Sequence, residues 1–194
     1  MLKQKKILIG ITGSIAAYKI PLLVRLLVKE GAEVKIIMTE AAKDFVTPLT
    51  LSTLSGNPVF SGFFKEEDGS WFSHVDLGNW ADLYLIAPVS ATTMGKMVIG
   101  LADNLLVATY LAAKCPVFFA PAMDVDMFNH PSTQKNIKTL QQYGNKLLEP
   151  EIGELASGLS GPGRLQEPEN ILSVISDYFE KKKKDFSGKK VLIT

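Results

Sequence analysis

Residues Leu83 to Ala87, LYLIA, form a short unbroken apolar run. Asp82 leads into it, and Pro88-Val89-Ser90 leads out towards Thr92 and Thr93. A run that is apolar on both faces and too short for a buried helix reads as a strand covered from both sides. Such strands belong to parallel sheets with helices packed on each face. The hydroxyls that follow then sit where the strand hands over to a helix. Ligands of open α/β sheets bind outside the carboxyl ends of the strands, so Ser90, Thr92 and Thr93 are expected in a site. His74, one of only two histidines, enters this stretch through a polar turn rather than from within an apolar run.

The same alternation runs through the rest of the chain. Lys5 to Gly10 (KKILIG) reads as a first strand, and Ile11-Thr12-Gly13-Ser14-Ile15 as a turn into a helix that continues through Leu27. Ser14 is a natural N-cap, Gly31 a natural C′ residue, and amides at that helix start suit an anion. Glu33 to Thr39 reads as the second strand. A G-x-G-x-x-G signature is absent, and Glu40 is the only acid placed for a ribose, which argues against a dinucleotide. Helices are expected over Thr47 to Gly56, Ser90 to Ile99, Ala102 to Ala113, Ser132 to Tyr143 and Pro168 to Lys184, and strands over Cys115 to Ala120 and Asn145 to Leu148. The expected fold is α/β: a three-layer Rossmann-like (flavodoxin-like) doubly wound parallel sheet with helices on both faces. Val59 to Ser73 reads as an irregular loop of the length that carries function. Pro150 to Glu167, with Gly153, Gly158, Gly161 and Gly163, reads as a mobile flap over a site.

Composition narrows the function. The net charge is +1 and no basic run interleaves with aromatics, so nucleic acid is not an expected partner. Lys181 to Lys184 reads as a solvated helix end. A lone cysteine, Cys115, excludes an internal disulfide and fits a reducing compartment; its place before an apolar run makes it a packing residue. No apolar run reaches the roughly 18 residues of a membrane span, and no signal peptide precedes the first strand. A cytoplasmic protein is the expectation, with no membrane partner. The histidines lack a cluster of metal ligands, and no G-x-S-x-G elbow exists. Three strand ends offer hydroxyls and amides with little positive charge beyond Lys96, a pattern that suits a mononucleotide.

Five ordered motifs carry a resemblance: Gly13-Ser14-Ile15-Ala16-Ala17-Tyr18-Lys19, His74-Val75-Asp76-Leu77, Ala87-Pro88-x-Ser90-Ala91-x-Thr93, Ala102-Asp103-Asn104-Leu105 and Pro121-Ala122-Met123-Asp124-x-x-Met127. Together they resemble the flavin-containing cysteine decarboxylases, over roughly Lys5 to Lys184. The resemblance implies FMN as cofactor, lined by Gly13, Ser14, Ile15, Thr39, Ser90, Ala91, Thr92, Thr93 and Ala122. It implies a catalytic set of His74, Asp124 and Ser157, with substrate contacts from Met123, Asp124, Ala156, Ser157 and Arg164. It also implies a small-molecule substrate and a homo-oligomer, a trimer or dodecamer. The branch matched best decarboxylates 4′-phospho-N-pantothenoylcysteine to 4′-phosphopantetheine in coenzyme A biosynthesis. Members acting on another cysteine, and non-catalytic FMN-binding regulatory subunits, are the alternatives.

In bacteria that branch is joined to a phosphopantothenate–cysteine ligase. The last residues, DFSGKKVLIT, are similar to the opening KKILIGITG. The expected organisation is therefore a decarboxylase domain over residues 1–185, and over 186–194 a linker and the first strand of a ligase domain, Lys189 to Thr194, cut before its turn and helix.

Three positions depart from the family pattern. Thr92 stands where the family has Asn. Asp124 also replaces an Asn that can donate to a substrate carboxylate, whereas an ionised Asp only accepts and repels one. Ser157, in Leu155-Ala156-Ser157-Gly158, replaces the family's flap cysteine, the expected proton donor of the last step. Glu154 is the neighbouring acid that could take over.

Overall fold

The computed structural model describes residues 2–64 and 71–184. The strand expected over Lys189 to Thr194, with the rest of 185–194, lies outside the described residues. Six parallel strands form the sheet: β1 (Lys6–Ile11), β2 (Glu33–Met38), β3 (Val59–Phe60), β4 (Leu83–Val89), β5 (Val117–Pro121) and β6 (Lys146–Leu147). Their order is β3-β2-β1-β4-β5-β6. The chain winds outward from β1 in one direction, then starts again at β4 in the other. The crevice between the ends of β1 and β4 is thus the topological switch point, where such sheets take ligands.

Alternation in the strands divides the core into two layers. Ile7, Ile9 and Ile11 of β1, with Leu83 and Leu85 of β4, face α1 (Ile20–Lys29) and α8 (Pro168–Lys184). Leu8, Tyr84, Ile86 and Phe119 face the other layer, where α3 (His74–Trp80), α4 (Ala91–Ile99), α5 (Leu105–Ala112) and α7 (Pro131–Gln142) pack. Every residue of β4 and β5 is buried, as the unbroken apolar runs require. Local chemistry sets the helix ends. Ser14, Ser73, Ser90 and Asn104 each accept an amide from the first turn they precede. α2 (Pro48–Ser55) and α4 end at left-handed Gly56 and Gly100, which pay no Cβ penalty there.

Several expectations need correction. The first helix is split: Ile15–Lys19 is a 3₁₀ turn, and the α-helix begins at Ile20 with Pro21 in its first turn. The stretch after Gly56 contains the edge strand β3, and Phe64 bridges Trp71 across it. Cys115 lies outside β5, half-buried against its base; burial, the larger effect, pushes its thiol up in pKa, and the thiol is a packing group. A short helix, α6 (Val125–Asn129), precedes α7. The glycine-rich flap is an antiparallel hairpin, β7 (Glu151–Glu154) and β8 (Ser160–Arg164), turning at left-handed Gly158. β7 and β8 pair with each other and not with the main sheet.

Candidate active site

The carboxyl ends of β1 and β4 are fastened together by one side chain. Buried Thr12 donates from Oγ1 to the Pro88 carbonyl at 2.8 Å, and the same oxygen accepts the Ser90 amide at 2.8 Å. Ser90 in turn caps α4, accepting the Thr93 amide at 3.3 Å and meeting the buried Thr93 hydroxyl at 3.2 Å. Ser14 reaches the end of β5 through a long 3.5 Å bond to the Ala122 carbonyl. Three strand ends therefore form one continuous rim of hydroxyls and amides.

Gly13 fits between this rim and the end of β2. A Cβ built there would lie 2.8 Å from the Ala41 methyl and 3.2 Å from the Ala41 carbonyl oxygen. Thr39, at the end of β2, keeps its Oγ1 buried with no hydrogen-bond partner among the described residues. A buried polar atom without a partner costs free energy unless a ligand satisfies it. His74 begins α3, and its Nδ1 is likewise buried and unpaired. Its ring stacks on Trp71 with centroids 6.3 Å apart and meets Phe63 edge-on. His74 thereby meets a residue just past the carboxyl end of the edge strand β3.

Beside the rim opens a cavity of about 550 Å³. Ser14, Ile15 and Ala122 line one side, Met123 and Asp124 the floor, and Ala156, Ser157 and Arg164 of the hairpin the cover. Eight of the sequence-predicted residues thus meet in one space. Gly13, Thr39, His74 and Ser90 to Thr93 do not line it; they border the rim and the α3 end. The expected helper Glu154 also faces the cavity. Asp124 precedes α6 and caps no amide of it with its side chain. Lys96, expected to lend a charge to a phosphate, is instead paired with Asp103.

The sequence reading missed what holds the cover in place. Lys19, 6% exposed, donates to the Leu165 carbonyl at 2.7 Å and to Glu167 Oε1 at 2.9 Å. Arg164 Nη2 donates to that same oxygen at 2.6 Å. Lys19, then Arg164, hold the Glu167 carboxyl below its usual range, and Glu167 holds the Arg164 guanidinium still more firmly protonated. Glu151 of β7 accepts the Glu167 amide at 3.2 Å. The one available signal was Lys19 itself, set between Ala17 and Ile20 on the apolar face of its turn. Next to Arg164, the Met123 amide donates to the Gly163 carbonyl at 3.1 Å.

A flavin would find matching chemistry here. Apolar Ile15, Ala122, Met123 and Leu155 offer flat flanks, while capped helix starts, hydroxyls and the unpaired Thr39 oxygen suit a polar rim and an anionic tail. The flavoprotein family model matches residues 1–180. The chain belongs to the flavoprotein family. Among its flavoprotein relatives, a cysteine/cysteine sulfinic acid decarboxylase from an unknown prokaryotic organism is 58% identical over 76% of this chain and 42% of its own length. The coenzyme A biosynthesis bifunctional protein CoaBC of Bacillus subtilis (strain 168) is 46% identical over all of this chain and 48% of its own. The chain spans about half the length of the curated relatives it matches. A solved PPC decarboxylase, a cysteine-to-serine mutant complexed with pantothenoylaminoethenethiol, superposes with a TM-score of 0.81 at 34% identity, covering 92% of this chain and all of its own.

Proposed function

We propose that this chain is the FMN-dependent decarboxylase part of a two-activity enzyme, converting 4′-phospho-N-pantothenoylcysteine to 4′-phosphopantetheine. The observation that carries the reading is the cavity itself, which joins cofactor-side Ser14, Ile15 and Ala122 to substrate-side Met123, Asp124, Ala156, Ser157 and Arg164. Similarity over all of this chain to the coenzyme A biosynthesis bifunctional protein, of which it covers 48%, supports the substrate. The reading extends to a cytoplasmic homo-oligomer. Among the described residues, no helix is long and apolar enough to cross a membrane.

FMN, when bound, would supply a two-electron acceptor for the cysteine side chain and the donor that later restores those electrons. Its phosphate would meet Ser90, Thr92 and Thr93 at the start of α4, and its ring Ser14, Ile15 and Ala122. Oxidation at sulfur gives a thioaldehyde, so that loss of carbon dioxide leaves a delocalised enethiolate rather than a bare carbanion. His74 carries protons at the first oxidation, since an imidazole changes charge near neutral pH. Arg164, turned to the cavity from the hairpin, binds the substrate's negative charge. Asp124 and Ser157 hold the positions next to the reacting carbon. Closure of the hairpin excludes water from the enethiolate.

The 58% identity to a cysteine/cysteine sulfinic acid decarboxylase favours a second reading, free cysteine as the substrate. There Asp124 would pair with the α-ammonium group that an acylated substrate lacks. One experiment separates the two. The FMN-loaded protein is given each substrate, and carbon dioxide and thiol products are followed by mass spectrometry. Preferential turnover of phosphopantothenoylcysteine is expected. Turnover of cysteine alone would establish the second reading, and FMN binding without turnover of either would leave a regulatory flavoprotein.

A further inference from the structure

We infer that Lys19 is a positioning residue for the substrate, acting through Glu167 on Arg164. The inference rests on the decarboxylase reading and adds a residue to it. Lys19 is the one buried charged side chain among the described residues. A buried ion pair often stabilises a fold no more than apolar side chains of the same volume would. What it supplies here is a fixed geometry between two parts of the site.

That geometry spans the cavity. Lys19 closes the 3₁₀ turn whose N-cap Ser14 and first residue Ile15 line the cofactor side. Its ammonium reaches the chain that follows β8 and grips it twice, at the Leu165 carbonyl and at Glu167 Oε1. Leu165 is buried in the same core layer as Ala17 and Ile20, so the join is made from inside.

The oxygen that Lys19 holds is the one that Arg164 Nη2 meets at 2.6 Å. Arg164 pairs there through a single nitrogen, not through the two-pronged fork that a guanidinium can make with a carboxylate. Among the described residues, its Nη1 and Nε make no hydrogen bond. Gly153 of β7 leaves room beside it: a Cβ there would stand 3.4 Å from Nη1 and 3.5 Å from Cδ. The guanidinium is thus held at one nitrogen and open at the others, in the wall of the cavity. Lys19 fixes that wall relative to Ser14 and Ile15. Without Lys19 the Glu167 carboxyl keeps Arg164 as its only side-chain partner among the described residues, and the link to the cofactor side is gone.

The test is a double-mutant cycle on the FMN-loaded protein, comparing wild type, Lys19→Met, Arg164→Met and the pair. KM for phosphopantothenoylcysteine is measured beside timed trypsin digestion read by mass spectrometry. Trypsin cuts after arginine, so cleavage between Arg164 and Leu165 reports release of this join without any turnover. Lys19→Met should raise KM at least about tenfold, an effect of the size that a lost charge-assisted hydrogen bond has. It should speed cleavage after Arg164 at least tenfold and leave the other tryptic sites unchanged. In the Arg164→Met background, Lys19→Met should change KM less than twofold, whereas a loss of stability alone would raise KM alike in both backgrounds. Equal rises in the two backgrounds overturn the inference and leave the decarboxylase reading standing. So does a wild-type KM, or wild-type cleavage after Arg164, in Lys19→Met. Glu167→Gln, a milder change that weakens both links of the relay, is taken through the same cycle. Additivity of its effect on KM with that of Arg164→Met overturns the inference even where Lys19→Met fails to fold. A wild type that turns over neither substrate overturns both.

Discussion

The Ser90 amide donates to Thr12 Oγ1 at 2.8 Å, tying the carboxyl end of β4 to that of β1. Because the same hydroxyl donates to Pro88, one side chain satisfies two backbone groups 76 and 78 residues away. Thr12→Val keeps the shape and removes both bonds. An unsatisfied buried amide costs roughly 1–3 kcal/mol. Denaturant unfolding should show a loss of that size, and FMN affinity should fall with it. An unchanged midpoint would mean that water replaces the hydroxyl.

Gly163 has φ of 128°, and a Cβ there would run into the Met123 carbonyl oxygen. Gly163→Ala should therefore push the hairpin off the Met123 to Asp124 loop. Because β7 and β8 pair only with each other, global stability should fall by no more than about 1–3 kcal/mol, as for other overpacked sites. Substrate KM should rise at least tenfold. Limited proteolysis of the hairpin, compared with wild type, checks the displacement.

Glu167 joins Lys19 to Arg164, and its carboxyl is held below the usual range in the folded protein. A depressed carboxyl contributes stability above its unfolded pKa, and that stability is lost as pH falls through the folded value. The cover's anchorage should accordingly be complete near neutrality and weaken only in acid, below the ordinary glutamate range. Glu167→Gln should flatten this acid limb of the unfolding profile. A wild-type limb in that variant would show that the pair is screened by solvent.

His74 begins α3, and its Nδ1 is buried without a partner among the described residues. His74→Asn should keep FMN within about twofold of wild-type affinity and slow substrate-dependent bleaching of the flavin at least 10²-fold, the scale of a lost general base. Stopped-flow absorbance measures it. Bleaching at the wild-type rate would return His74 to its aromatic stack with Trp71 as a packing residue.

Asp124 lines the cavity in which the proposed function would seat a substrate that carries a carboxylate. Asp124→Asn should lower the KM for phosphopantothenoylcysteine, by up to about tenfold for a relieved charge pair worth 1.4 kcal/mol. It should raise the KM for free cysteine, whose ammonium loses its partner. Opposite movement of the two constants would exchange the preferred substrate.

The sequence displayed the sheet because the strands are buried on both faces and their apolar runs are uninterrupted. It displayed most helix ends because Ser14, Ser90, Asn104 and Gly56 act within three or four residues of themselves. The hairpin escaped because Gly153, Gly161, Pro162 and Gly163 have little strand propensity and owe their pairing to each other across the turn. Thr12 and Lys19 escaped for a different reason. Their partners lie 76 and 146 or more residues along the chain, and nothing local marks either side chain as a fastener. The motifs named eight residues that line one cavity, and the side chains that fasten its cover were not legible.

The hairpin enters the chain after β6, when the last strand of the sheet is already laid down. No strand of the sheet takes a hydrogen bond from β7 or β8. Selection can therefore rewrite the cover residue by residue, as in exchanging a thiol for a hydroxyl, without breaking a hydrogen bond of the sheet.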